Sequence, residues 1–222
     1  MGLRDFTLFD VIERNARLYS DRPAFICGDQ RVTHADYLRR VERLAAGLAR
    51  AGIGIGDRVA ILSHNNLEFV DLYGAIARLG AILVPINWRQ SADEIAYIVS
   101  DVAPKAVIAD AAHQDILKGK QQEFGSVSRW FGIGSHAAPF EPFEALASEA
   151  PASERPDVSA DAPYVMFHTA AVAGRPRGAV LSHAGLLAGN GQLIHYWAMT
   201  PSDVNLGVLP LFHLAGLTML LA

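Results

Sequence analysis

Cysteine is all but missing from this chain, with Cys27 the only one in 222 residues. A lone thiol has no internal disulfide partner, and Cys27 closes the apolar run Ala24–Cys27, so a buried place in a reducing cytoplasm is expected. Charge is also sparse: 19% of residues, with a formal net charge of −4. With no basic run and no interleaved aromatic platform, nucleic-acid binding is excluded. No secretory leader is read at the start, because Arg4 and Asp5 precede Phe6 without an apolar core of the right length after them. None of the eight histidines stands at a metal-ligand spacing, so no metal site is expected. Val204–Ala222 carries no charge and approaches the length of a membrane span. Asn205, Gly207, Pro210, His213 and Gly216 interrupt it, and a strand–loop–helix reading takes precedence over a span.

What is present is a generous interior, 51% hydrophobic, arranged in alternating short strands and helices. Thr7 caps an amphipathic helix to Tyr19, and Gly28-Asp29-Gln30 joins a hairpin of Ala24–Cys27 and Arg31–Thr33. Thr33 opens a helix that Gly52 stops; Leu67–Leu79 is a helix stopped by Gly80; Ser91 and Glu94 form a capping box for a helix to about Asp101. Between them Arg58–Leu62, Ala81–Pro85 and Lys105–Asp110 read as buried strands, and Trp130–Ile133 as a further strand. GIGIG at 52–56 precedes a strand instead of following one, so it is a turn and not a nucleotide loop. Strands separated by such helices predict an α/β fold with a mainly parallel sheet and helices on both faces.

One stretch stands out, FHTAAVAGRPRGAVLSH at 167–183. It follows the apolar strand Tyr164–Phe167, and Ser182 and His183 open a helical segment after it. Small residues admit a ligand close to the backbone, successive amides form a concavity for an anion, and Arg175 and Arg177 add positive charge. On these residues alone a surface turn with solvated arginines is an equal alternative. The spacing matches neither a Walker loop nor a dinucleotide fingerprint.

GRPRGAVLSH resembles the second half of the phosphate-binding loop of the adenylate-forming superfamily, which includes acyl-CoA synthetases, peptide-synthetase adenylation domains and luciferases. That loop runs as an aromatic residue followed by T-S-G-T-T-G-x-P-K-G. His168 takes the aromatic position, Thr169 the threonine, Gly174 the second glycine, Pro176 the proline and Gly178 the last glycine. Ala170, Ala171, Val172 and Ala173 replace Ser-Gly-Thr-Thr, and Arg177 replaces lysine. GDRVAIL at 56–62, GAIARLGAILVPINWR at 74–89 and LPLFHLAG at 209–216 resemble three further segments of the family in the right order. The INWR and PLFHLAG forms lean toward acyl-CoA synthetases acting on fatty or aryl acids.

The resemblance implies an incomplete N-terminal AMP-binding domain over residues 1–222, with the C-terminal lid domain and its catalytic lysine outside the sequence. It implies that Thr169, Ala170, Ala171, Val172, Ala173, Gly174, Arg177 and Gly178 hold the phosphates of ATP, that His213 borders an acyl pocket and that Arg89 is a candidate CoA contact; a hydrogen-bonded core histidine and a solvated arginine are the alternatives for the last two. ATP, Mg²⁺, CoA and a carboxylic acid are the implied cosubstrates; a homodimer is left open. No catalytic residue is assigned within the 222 residues. Two other readings stand beside the synthetase: a domain that loads a carrier protein, and an inactive homologue with an eroded loop. Losing two or three loop hydroxyls would weaken ATP binding by ~10²-fold if nothing compensates.

Overall fold

The computed structural model describes residues 5–147, 154–169 and 175–222. Helix α1 (Leu8–Leu18) starts in a reciprocal capping box of Thr7 and Asp10. Strands β1 (Pro23–Cys27) and β2 (Gln30–Thr33) form the expected hairpin, and α2 (His34–Arg50) is capped by Thr33. There follow β3 (Arg58–Leu62), α3 (Leu67–Leu79), β4 (Ile82–Pro85), α4 (Ala92–Val102), β5 (Ala106–Asp110) and α5 (Gln114–Lys118). Then come β6 (Arg129–Ile133), β7 (Glu141–Pro142), β8 (Pro163–His168), β9 (Gly178–Ser182), α6 (His183–Tyr196) and α7 (Leu214–Leu221). Gly80 ends α3 at φ 68°, the left-handed conformation for which glycine is suited.

Among the described residues, seven strands form one sheet in the order β7-β6-β5-β3-β4-β8-β9, parallel throughout except for β9. The pleat divides the core in two. Val59 and Ile61 of β3 face α2 and α3, whereas Ala60 and Leu62 face α4 and α5. Both faces of the central strands are therefore apolar, which is why RVAIL and AVIAD read as continuous runs instead of alternations.

Three expectations change. The segment at 178–182, read as loop running into helix, is strand β9, paired antiparallel with β8. Its side chains are exposed or half-buried, so no apolar period marks it; the backbone of β8 supplies the reason for its shape. No strand precedes His213, because the chain from 204 to 213 is irregular before α7. Cys27 is exposed, since among the described residues β1 pairs only with β2 and its outer end, next to the Gly28 turn, meets no packing layer.

The β8–β9 pair is fastened to the start of α1 through the residue that follows it. His183, the first residue of α6, is wholly buried and its Nδ1 accepts the Leu8 N–H at 3.3 Å. Burial pushes its imidazole down to about 4, with nearby Arg155 acting in the same direction and Asp10 opposing. Above pH 6.5 the group is neutral folded and unfolded; below it the unfolded chain takes up a proton that the folded chain refuses until about pH 4. Folding stability is thus expected to fall by about 2 kcal/mol between pH 6.5 and 5 from this residue. Urea unfolding at pH 7 and 5 checks it: His183→Gln should lose less stability over that interval than the parent, and equal losses would contradict the assignment.

Candidate functional site

In an open parallel sheet, ligands bind beyond the carboxyl ends of the strands, above all where successive connections leave in opposite directions. Here β3 continues into α3 on one face, while its neighbour β5 continues into α5 on the other. The switch point therefore lies between the ends of β3 and β5. The ends of β4 and β8 share the same edge.

The glycine-bracketed bend leaves this edge at β8. Its mouth is closed by three contacts: Thr169 N–H donates to the Arg177 carbonyl at 3.0 Å, Thr169 Oγ1 donates to the same oxygen at 3.3 Å, and Arg177 N–H donates to Thr169 Oγ1 at 3.4 Å. Arg177 and Thr169 are exposed. Arg175 lies over the Tyr97 ring at 5.1 Å, and the Tyr97 hydroxyl donates to the Pro176 carbonyl at 3.3 Å, which ties the bend to α4. A Cβ on Gly178 would fall 2.6 Å from the Met166 sulfur, so the strand pair is close at that point. Ala170, Ala171, Val172, Ala173 and Gly174, expected to line a phosphate site, lie outside the described residues. His168, in the aromatic position, has both ring nitrogens buried without a hydrogen bond among the described residues; burial lowers its pKa, while Asp101 at 3.6 Å works the other way.

Beyond β4 the chain turns at Asn87, whose Oδ1 accepts the Arg89 N–H at 3.0 Å. This is the expected N-x-R turn. Arg89 is exposed, its guanidinium 4.5 Å from the Trp88 ring and 5.5 Å from that of Phe212, with no ion-pair partner among the described residues. Its charge is free for an anion. Phe212 belongs to the LPLFHLAG segment, which Asn65 holds from both sides: its Nδ2 donates to the Leu209 carbonyl and its Oδ1 accepts the Leu211 N–H, each at 2.9 Å. The Tyr73 hydroxyl donates to the Leu211 carbonyl at 2.7 Å. Gly216 lets α7 return against this segment, because a Cβ there would sit 2.1 Å from the Pro210 carbonyl oxygen. His213 is exposed and its Nδ1 accepts the Ala215 N–H at 3.2 Å, so it caps α7. The structure thus brings Arg89 and the Phe212–His213 segment together, as two separate motifs did not reveal.

At the switch point sits a group that the sequence reading did not single out. His64 follows β3; Asp110 ends β5 and His113 follows it. His64 Nδ1 is 2.9 Å from Asp110 Oδ2, and His113 Nδ1 is 2.5 Å from Asp110 Oδ1. The Asp110 carboxylate also accepts the His64 N–H at 2.9 Å. Burial opposes its ionisation, but these hydrogen bonds prevail and hold its pKa below the usual carboxylate value. The only hint in the sequence was D-x-x-H after a strand, and its partner lies 46 residues earlier.

The fold and this edge define an α/β protein of the open parallel type, with its binding elements at the carboxyl ends of the strands. The sequence profile described as AMP-binding enzyme matches residues 12–222, and the chain belongs to that family. It is 34% identical over 197 residues to the long-chain-fatty-acid–CoA ligase FadD13 of Mycobacterium tuberculosis, covering 86% of this chain and 37% of that protein. A long-chain-fatty-acid–CoA ligase of Thermus thermophilus is 32% identical, over 94% of this chain and 40% of its own length. Among solved structures, a Rhodopseudomonas palustris protein described as a long-chain-fatty-acid CoA ligase superposes with a TM-score of 0.94 at 50% identity, covering 99% of this chain and 55% of that one. The chain spans about two-fifths of the curated relatives it matches. No helix among the described residues is long and apolar enough to cross a membrane.

Proposed function

We propose that this chain is the N-terminal part of an ATP-dependent acyl-CoA synthetase that activates a fatty or aryl carboxylic acid. The observation that carries the reading is the closed mouth of the Thr169–Arg177 bend at the carboxyl end of β8, in a chain of the AMP-binding family. In the first half-reaction a carboxylate oxygen attacks the α-phosphorus of ATP and pyrophosphate leaves. In the second, the thiol sulfur of CoA attacks the acyl carbon and AMP leaves. Such chemistry depends on positioning and on charge stabilisation.

The roles follow from position. The Thr169 clamp fixes the two ends of the segment, and we assign Thr169, Arg177 and the residues between them to the leaving pyrophosphate, with ATP entering as its Mg²⁺ complex. Arg89, an exposed cation with no carboxylate partner among the described residues, meets a phosphate of CoA. His213 borders the acyl group while its Nδ1 caps α7. The lid domain and its lysine are supplied by sequence outside these residues. We read the protein as cytoplasmic, in keeping with its single cysteine, and as able to form a homodimer.

The full-length protein should release AMP and pyrophosphate from ATP in the presence of a cognate fatty or aryl acid and CoA. Arg89→Ala should raise the KM for CoA by about 10-fold or more, the worth of a charged hydrogen bond, while leaving adenylate formation from the acid and ATP unchanged. An unchanged KM removes the CoA contact; no ATP binding by calorimetry removes the ligase reading. A second reading is favoured by a 29% identical relative, a fatty acid–[acyl-carrier-protein] ligase of Streptomyces coeruleorubidus. Thioester formation with a phosphopantetheinyl carrier and none with CoA would select it. An inactive homologue is the third reading, motivated by Ala170–Ala173 and by a Thr169 hydroxyl already engaged within the bend.

A further inference from the structure

The His64–Asp110–His113 group has no task in the ligase reading, and nothing in that reading accounts for its place at the switch point. We propose that it binds one divalent transition-metal ion, zinc being the first probe, through the imidazoles of His64 and His113 and a carboxylate oxygen of Asp110.

The donor set points to the class of ion. Two imidazoles and one carboxylate suit zinc, cobalt or nickel; magnesium and calcium take oxygen ligands. One ligand atom from each of the three residues falls within a 4.8 Å span. A tetrahedral zinc with bonds of about 2.0–2.1 Å keeps its ligand atoms roughly 3.3 Å apart. The separations of 2.5 Å (His113 Nδ1 to Asp110 Oδ1) and 2.9 Å (His64 Nδ1 to Asp110 Oδ2) are shorter than that, so the imidazoles must move outward from the carboxylate to admit an ion.

The ligands come from two loops that the sheet itself fixes. Asp110 is the last residue of β5, which pairs with β3 over Val59–Leu62 and Ala106–Ala109. The Asp110 carboxylate grips the His64 backbone, so the two loops are joined before any ion arrives. His113 is buried, whereas the His64 side chain is 51% exposed beneath Trp88, whose ring centroid is 4.5 Å away. One side of the group therefore opens to solvent. Three protein ligands with an open fourth position is the arrangement of an exchangeable zinc site, not of a closed structural one.

Without an ion, the two imidazoles and the carboxylate satisfy one another by hydrogen bonds. With an ion, each neutral imidazole moves its hydrogen from Nδ1 to Nε2 and offers the Nδ1 lone pair. Two N–H···O contacts give way to two metal–nitrogen bonds and one metal–oxygen bond, with no redox change.

The test is calorimetric titration of the purified, chelator-stripped protein with zinc chloride, repeated with cobalt chloride while following visible absorption. One saturable site per chain is expected, along with cobalt bands of a site with nitrogen ligands and no competition from millimolar magnesium. His64→Ala and His113→Ala should each weaken binding at least about 10-fold, because even the loss of an outer-sphere partner costs ~10–100-fold. His64 is half exposed, so its variant keeps the test valid if the buried His113 variant misfolds; circular dichroism reports which has folded. No saturable uptake by the parent protein, or equal affinity in parent and folded His64→Ala, overturns the proposal. Neither outcome bears on ATP or CoA binding, so the ligase reading stands or falls separately.

Discussion

Rebuilding the phosphate bend with hydroxyl residues, Ala170→Ser, Ala171→Gly, Val172→Thr and Ala173→Thr together, is expected to tighten binding of ATP in the presence of Mg²⁺ by about 10²-fold. The change supplies three hydroxyls and one glycine to a segment whose ends are already pinned. Thr169 and Arg177 exchange backbone and side-chain hydrogen bonds across the mouth, so the substitutions need not organise the bend from nothing. A hydrogen bond to a charged group contributes about 1.5–3 kcal/mol, and two such bonds account for the factor. Val172→Thr keeps the β-branch, so any gain at that position comes from the hydroxyl and not from backbone freedom. Calorimetry of parent and variant with ATP and Mg²⁺ decides the matter. Unchanged affinity would mean that the phosphates lie elsewhere on the edge.

Tyr73→Ala should cost about 3–5 kcal/mol of folding stability, in the range of large aromatic truncations in a close-packed core. The ring is 1% exposed, stacks on Phe69 at 5.4 Å and packs near Tyr164. Its hydroxyl also reaches the Leu211 carbonyl, and the Tyr164 hydroxyl in turn donates to the Tyr73 carbonyl at 3.0 Å. Tyr73 thus joins the middle of α3 to the segment that carries Phe212 and His213. Tyr73→Phe separates the two contributions: the ring stays, the Leu211 carbonyl loses its donor, and about 1–3 kcal/mol is expected. Urea denaturation measures both. On the proposed ligase reading, Tyr73→Phe in the full-length protein should also raise the KM for the acid more than that for ATP. Equal stability of Tyr73→Phe and the parent would show that the hydrogen bond does not hold the segment.

Legibility followed the range of the force that shapes each element. The start of α1 at Thr7, of α2 at Thr33 and of α4 at Ser91 could be read because a cap is a hydrogen bond three residues long. The stop at Gly80 is equally local, a single left-handed residue. Strands β3 and β5 were visible as unbroken apolar runs, since both of their faces are covered. Strand β9 was not, because its only strand partner among the described residues is β8 and its side chains are exposed or half-buried. Cys27 was misjudged for the reverse reason: it sits in an apolar run whose outer end no layer covers.

The edge shows the same division. The N-x-R turn and the Thr169–Gly178 bend could be named from order along the chain, as the resemblance to adenylate-forming enzymes required. That Arg89 shares its surroundings with Phe212, 123 residues later, needed the packing of the LPLFHLAG segment against Asn65 and Tyr73. That His64 meets Asp110 and His113 needed β5 to cross back beside β3.

By itself the sequence determined where helices begin and stop, which strands are buried on both faces, and the family to which the chain belongs, because caps, periods and motifs are written within a few residues of one another. Tertiary structure alone decided the strand order, the exposed ends of the hairpin, and which loops meet at the carboxyl edge. Parallel pairing over long crossovers brings together side chains that no local interaction connects.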